Sequence, residues 1–374
     1  MDRLILLDSN SLINRAYYAL PNLSNHSGQF TGAIFGYINM LMKIVSTYNP
    51  THIIATFDRK APTFRKAMYE GYKATRKPMP TELASQLAPL KEILTAMNIP
   101  IVEMDGYEAD DIIGTLAKRF SVETFVFTGD KDSLQLIDDT TTVLLTKKGI
   151  TEIAYYDRDM LASEGLVPSQ IIDLKSLMGD SSDNIPGVAG VGEKTARDLL
   201  AKYNTLDGVY EHIDEIKGKL QEKLIAGKDM AYLSYDLATI NVNSPVEFND
   251  LDVAKFNPVF SQEVKRLLKA LELTKIADRM TFDGEDGQSE QNIAASVSIP
   301  KSVDIDDLQG LGEVISHLIM QGKFAFSISQ RVTLATDEEC YNIVISDNLL
   351  GDGINYCDFI DAMKGVFESD KIIK

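Results

Sequence analysis

The chain has 374 residues with 44% hydrophobic content, enough for two or three domains with sizeable cores. Its net charge is −18, and its only cysteines, Cys340 and Cys357, offer neither a disulfide framework nor a zinc spacing, which points to a reducing cytoplasm. No stretch approaches the roughly 20 apolar residues of a membrane span, and the N-terminal apolar run is too short for a signal peptide, so no membrane partner is expected.

Strands and helices alternate over the first 180 residues. Arg3–Asp8 and residues 51–58 are apolar, β-rich runs, each ending in Asp, and 124–128 and 141–145 are further strands. Helical patterns fill 31–48, 81–98 and 107–120. This rhythm predicts an α/β fold with a central, mainly parallel sheet flanked by helices. Ligands of such sheets bind beyond the carboxyl ends of the strands, where Asp8, Asp58 and Asp130 fall. Residues 168–280 read as mostly helical with one Gly-rich turn. Residues 281–298 read as a polar linker. Residues 299–374 begin another α/β unit, with strands at 323–329 and 340–346, and the chain stops inside an expected strand at 371–374, as a truncation would. The expected divisions are therefore 1–167, 168–280, 281–298 and 299–374.

Nine acids sit at strand ends and helix starts: Asp8, Asp58, Glu108, Asp110, Asp111, Asp130, Asp132, Asp180 and Asp183. Any one of them could be a surface acid or a helix cap. Together they would repel one another, and they stay ionised only with cations nearby. An oxygen-only set suits Mg²⁺ or Mn²⁺, and two such ions roughly 4 Å apart serve phosphodiester hydrolysis. The charge distribution permits a nucleic-acid partner. Residues 281–374 hold 17 acids against 6 bases, which leaves −7 for the first 280 residues, with those nine acids included. His26, His52, His212 and His317 show no ligand spacing.

Asn184 to Ala196 follows the last acidic motif directly. Its Gly187, Gly190 and Gly192 permit tight turns and close backbone approach to phosphate, and Lys194 and Thr195 open a helix beside them. The pattern alone fits a plain interhelical turn or a helix–hairpin–helix, a sequence-independent clamp on DNA backbone, and its place directly after the acidic motif favours the clamp. Residues 59–77 carry seven bases against Glu70, interleaved with Phe64, Tyr69 and Tyr72, a composition suited to single-stranded nucleic acid. This run leaves the strand ending in Asp58, so 59–80 is expected to form an arch over the acids. Arg15 faces either a scissile phosphate or a neighbouring carboxylate.

The run Leu177-Met-Gly-Asp-Ser-Ser-Asp-Asn-Ile-Pro-Gly-Val-Ala-Gly-Val-Gly-Glu-Lys-Thr-Ala196 resembles the 5′ nuclease domain of bacterial DNA polymerase I. So do residues 108–117, 128–132, 72–76 and 57–58, over about residues 1–280. The resemblance implies a PIN or flap-endonuclease-like fold and the nine acids shared between two divalent ions. It implies an arch bearing Tyr72, Lys73 and Arg76, with Arg15 and Arg65 near the reacting phosphate. It also implies DNA contacts from Gly187, Val188, Gly190, Val191, Gly192, Lys194 and Thr195, with K⁺ on hairpin carbonyls. Ala189 stands where many relatives have proline, a change of little consequence if only backbone approaches DNA. The expected substrates are 5′ flaps, nicks and branched or 5′-ended duplexes, met in replication and repair without an obligatory protein partner.

Residues 299–374 resemble the start of a ribonuclease H-like 3′–5′ exonuclease domain. Ser327 and Ser329 occupy its two acidic positions, so no proofreading is expected, and no polymerisation from this chain alone. The competing readings are a free-standing flap endonuclease and a non-catalytic helix–hairpin–helix DNA-binding module.

Overall fold

A computed structural model describes residues 2–147, 149–150, 152–284, 302–321, 324–328, 332–336, 340–346 and 354–367. The chain forms two compact units, Met1–Asp283 and Gly284–Lys374.

In the first unit, β1 (Arg3–Asp8) leads through α1 (Ser9–Ala19) and α2 (Gly32–Tyr48) to β2 (His52–Thr56). The short α3 (Phe64–Met68) and α4 (Thr81–Ala96) precede β3 (Ile101–Val102), and α5 (Ala109–Arg119) returns the chain to β4 (Glu123–Thr128). A 3₁₀ turn, Lys131–Leu136, then precedes β5 (Thr141–Thr146) and β6 (Ile153–Tyr156). The sheet order is β3-β2-β1-β4-β5-β6. All pairings are parallel except β5 with β6. The mainly parallel sheet is thus mixed by one antiparallel edge strand. The other edge, β3, has only two residues, and short edges resist pairing with other chains.

Strand alternation gives the unit two cores. Ile5, Leu7, Ile53, Phe125 and Phe127 face one side, and Leu4, Leu6, Ile54, Val126 and Val143 face the other. Burial on both faces explains why these strands read as continuous apolar runs. The chain runs outward from β1 through β2 to β3, then crosses back to β4 on the other side of β1. The strand order therefore reverses between β1 and β4, where a crevice opens at their carboxyl ends.

The later helices complete both layers. α6 (Arg158–Ser163), α7 (Gln170–Met178), α8 (Glu193–Tyr203), α9 (Leu206–Glu211), α10 (Lys219–Ala226) and α11 (Lys228–Ala238) extend the Leu4 side. After β7 (Val259–Phe260), α12 (Gln262–Ala270) and α13 (Thr274–Ala277) pack on the Ile5 side. The helical region from 168 therefore shares its cores with the sheet. β8 (Thr281–Phe282) pairs with β7, so the expected linker cannot begin at 281, and residues 285–301 lie outside the described set. Expected helix ends shift by a residue or two for local reasons. α5 starts at Ala109 because Glu108 is extended, and α2 stops at left-handed Asn49.

The turn after α7 depends on glycine. Gly187 has φ +60, and a Cβ there would lie 2.2 Å from the backbone nitrogen of Gly179. Asp180 and Ile185 close the turn with paired backbone bonds of 2.9 and 2.8 Å.

In the second unit, β9 (Ser302–Ile305) and α14 (Leu308–Gln321) precede β10 (Ala325–Ile328), β11 (Val332–Ala335) and β12 (Cys340–Ile343). Their sheet order is β10-β11-β12-β9, antiparallel except for β12 with β9. β13 (Ile345–Ser346) pairs with β14 (Ile354–Asn355), which leads into α15 (Tyr356–Phe367). Leu311, Leu318, Leu334, Ile343, Phe359 and Met363 form the core. Ser327 lies in β10 opposite Thr333, while Ser329 and residues 371–374 lie outside the described residues. Among the described residues, no helix is long and apolar enough to cross a membrane.

Thermal melting separates the two glycine positions. Gly187→Ala should cost more than about 2 kcal/mol, from strain plus overlap. Gly28→Ala, with φ +79 but nothing within 4 Å, should cost only about 1 kcal/mol.

Candidate active site

The crevice between β1 and β4 is a cleft of about 480 Å³. Five of the nine acids line it: Asp8, Asp58, Glu108, Asp110 and Asp130, with Asn10, Ser11, Asn14, Tyr18, Lys73, Arg76, Lys77 and Met79 around them. Asp8 ends β1 and caps α1. Its Oδ1 accepts from the Ser11 amide at 3.1 Å and its Oδ2 from the Thr128 hydroxyl at 2.6 Å. The same Thr128 oxygen accepts the Asp130 amide at 2.9 Å, and Asp130 caps the 3₁₀ turn through the Asp132 amide at 3.0 Å. One buried threonine thus joins two of the acids. Asp58, an exposed residue, accepts the Ala109 amide at 2.8 Å, and local burial of its carboxyl raises it above the usual range.

Asp110 is the least satisfied acid. Its Oδ1 is buried with no hydrogen-bond partner. Burial, together with Asp8 and Asp130, pushes its carboxyl well above the usual range. Burial, with Asp58 and Asp130 adding repulsion, raises Asp8 to about 7 despite the bonds from Thr128 and Ser11. An orphaned carboxylate oxygen among four other acids is what an oxygen-seeking divalent cation fits. Among the described residues, no three side chains stand placed to grip an ion directly.

The other four acids, like Glu108 within the cleft, carry cations of the protein. Asp111 does not join the ligand set: it is fully buried, and α5 turns it away from Asp110 toward the core. Arg65 donates to both its oxygens at 2.7 Å, and the Glu108 and Asn241 amides take remaining sites at 3.0 and 2.8 Å. Arg65 is accordingly too buried to meet a phosphate, and it also donates to the carbonyls of Leu237 and Thr239 at the end of α11. Lys175, which no sequence pattern singled out, bridges Asp132 and Asp180. Burial and neighbouring Asp130 raise Asp132 to about 7, opposed by Lys175. Burial would raise Asp180 too, but hydrogen bonds from Lys175 and Ser182 hold it at about 2. Asp183 pairs with Arg76 and, at 3.7 Å, with Lys73.

The arch segment is ordered from α3 through tight turns to α4. The Lys73 amide donates to the Asp183 carbonyl at 2.8 Å, and Asn184 donates to the Gly71 carbonyl at 2.7 Å. Lys73 reaches the cleft from a left-handed backbone, φ +53, and its ammonium donates to Glu108 at 2.7 Å. Tyr72 is buried, contrary to a role touching substrate, and donates to Glu108 at 2.9 Å. Arg15 takes neither expected course. It donates to the Thr146 carbonyl at 2.7 Å and does not line the cleft.

The hairpin between α7 and α8 divides in the same way. Val188 and Val191 bury their side chains, and the amides of Gly187, Val188 and Val191 bond Ser234 Oγ, Leu177 O and Val188 O. They cannot grip phosphate. Gly190, Gly192 and Lys194 are exposed and Thr195 is half-buried. Lys223 donates to the Gly190 carbonyl at 3.0 Å, so an ammonium holds one carbonyl expected to receive K⁺.

A cleft of acids at a strand-order reversal, followed by a helical hairpin, defines a metal-dependent nuclease architecture. Residues 3–164 match the family model for the N-terminal resolvase-like domain of 5′–3′ exonucleases, and residues 166–259 match that for their C-terminal SAM fold. Over these residues the chain belongs to the 5′–3′ exonuclease family. DNA polymerase I of Bacillus subtilis (strain 168) is 44% identical over 298 residues, 78% of this chain and 34% of that protein. DNA polymerase I of Caldicellulosiruptor bescii is 37% identical over 364 residues, 93% of this chain and 41% of that protein. The chain thus spans about a third to two-fifths of the length of these relatives. The bacteriophage T5 flap endonuclease, solved with DNA and metal ions, shares the fold at a TM-score of 0.51 and 22% identity, covering 72% of this chain and 99% of that one.

Two predictions follow from the charge pairing. Asp111→Ala, which strands the buried Arg65, should cost about 3–5 kcal/mol in urea unfolding. Asp8 and Asp132 are raised, so the metal-free folded state keeps protons that the unfolded chain has lost above about pH 4. Their contribution is therefore present at low pH and lost as pH rises through about 7. In EDTA, Tm should fall by at least about 3 °C between about pH 5 and pH 8, and excess Mg²⁺ should restore more at the higher pH.

Proposed function

We propose that residues 1–283 form a metal-dependent 5′–3′ exonuclease and flap endonuclease that hydrolyses DNA phosphodiesters at the β1–β4 cleft. The observation that carries this reading is the unpartnered Asp110 oxygen among Asp8, Asp58, Glu108 and Asp130. These residues would hold one divalent ion, Mg²⁺ or Mn²⁺. Asp132, Asp180 and Asp183 would serve a second once Lys175 and Arg76 yield. Bound there, such ions supply an acidified water and neutralise phosphate charge.

The chain's own groups account for the rest. Lys73, Arg76 and Lys77 line the cleft as cations for the phosphate, and Lys73 can exchange its bond to Glu108 for one to a phosphate oxygen. Asp8 and Asp58 are fixed by backbone amides, so their positions do not depend on substrate. The exposed Gly190, Gly192 and Lys194 would contact duplex backbone without reading bases. The similarity to DNA polymerase I relatives supports reading this chain as the N-terminal part of such a polymerase, which would act in the bacterial cytoplasm on flaps left in replication and repair. Its second unit, a β-meander with a parallel fourth strand, would belong to a ribonuclease H-like exonuclease domain, inactive because Ser327 and Ser329 replace acids.

The test is cleavage of an end-labelled 5′-flap duplex. Cleavage is expected with Mg²⁺ and none with EDTA. Asp110→Asn should lower the rate more than about 100-fold while flap binding persists. Cleavage in EDTA, or normal cleavage by the variant, would remove the metal assignment.

A further inference from the structure

The cleft reaches well beyond its acids, along one face of α1. Asn10, Asn14 and Tyr18 recur every four residues, so they share that face, and all three line the cleft. Asp8 caps the helix at the acidic end. Ten residues at 1.5 Å each place Tyr18 about 15 Å further along the axis. Tyr18 is 73% exposed, the largest value for any aromatic among the described large hydrophobics. Its ring is not loose on the surface: it packs edge-on against Tyr17, with centroids 5.0 Å apart and planes at 81°. Met79, 37% exposed, and Lys77 line the same cleft. An oriented aromatic face with a thioether beside it and a cation nearby suits a stacked base and its phosphate.

We propose that Tyr18 and Met79 form a nucleobase-stacking subsite for an unpaired DNA strand whose reacting phosphate lies at the acids. This rests on the nuclease reading above and adds where the strand goes. A stacked strand advances about 3.4 Å per nucleotide, so the base on Tyr18 is roughly four or five nucleotides from the phosphate at Asp8. Stacking reads no sequence, so the subsite tolerates any base but not an abasic position.

The full chain is tested with flap substrates carrying 2-aminopurine at successive positions of the unpaired strand, mixed in EDTA. Fluorescence quenching should peak about four or five nucleotides from the cleavage point. Tyr18→Ala should abolish that quenching, while Tyr18→Phe keeps it and Tyr155→Ala, an exposed tyrosine on β6, leaves it unchanged. In Mg²⁺, Tyr18→Ala should raise KM about 5- to 50-fold with kcat nearly preserved. An abasic nucleotide at the peak position should reproduce that rise in the wild type and add nothing in the variant. Quenching that survives Tyr18→Ala, or peaks beside the cleavage point, would overturn the subsite. A wild type that cuts no flap would overturn the nuclease reading itself. A wild type that cuts normally, with Tyr18→Ala equal to it, would overturn only the subsite.

Discussion

Like charges crowded at one end of a sheet must be compensated, and this requirement organises the first unit. Parallel strands with helical crossovers bring Asp8, Asp58 and Asp130 to the same edge, and α5 adds Glu108, Asp110 and Asp111. Water cannot screen all of them, because several are buried. The protein divides the burden. Arg65 neutralises Asp111 in the interior, Lys175 serves Asp132 and Asp180, Lys73 serves Glu108, and Arg76 serves Asp183. The remaining acids line the cleft, and of these Asp110 keeps an oxygen with no donor. Structural ion pairs and a reactive remainder thus come from one set of carboxylates.

The same pairing ties distant segments together. Arg65 leaves the arch, forks onto α5 and closes the carboxyl end of α11, where a cation also suits the helix dipole. Further along the arch, Lys73 and Gly71 bond the loop that carries Asp183 and Asn184. Sheet, arch and helical hairpin are therefore tied by charged and backbone contacts around the cleft, in addition to the apolar core that the sheet and the later helices share. That arrangement explains why Met1–Asp283 behaves as one compact unit although its second half is helical.

Much of this was legible in sequence. Apolar runs ending in Asp located β1 and β2, and the alternation of elements gave a mainly parallel sheet with acids at its edge. The antiparallel β6 was not legible, because a four-residue edge strand carries little pattern. Glu108-Ala109-Asp110-Asp111 reads as one acidic motif, yet a helix turns about 100° per residue and sends its last two members to different surroundings. The four-residue spacing of Asp111 and Thr115, both buried, was the available signal. Arg65 and Lys175 were beyond reach as partners. Nothing local marks a basic residue as internal when its acid lies 46 positions away, or when two acids share it. The hairpin glycines were readable as turn-formers, but which amides stay free depends on Ser234 and Leu177, set by the helix packing.

Asp8 holds two offices that draw on different properties of one side chain. The start of α1 requires only an acceptor lone pair opposite the Ser11 amide, and the neighbouring Thr128 hydroxyl can turn to donate or to accept. The cleft requires negative charge. An amide at this position would satisfy the helix as well as the carboxylate does, since Asn caps as strongly as Asp. Fold and chemistry are thus separable here by a single atom. A descendant of this domain would fall silent by drift while remaining well folded, and above about pH 7, where the buried carboxylate is charged at a cost, its loss of activity would come with a gain in stability.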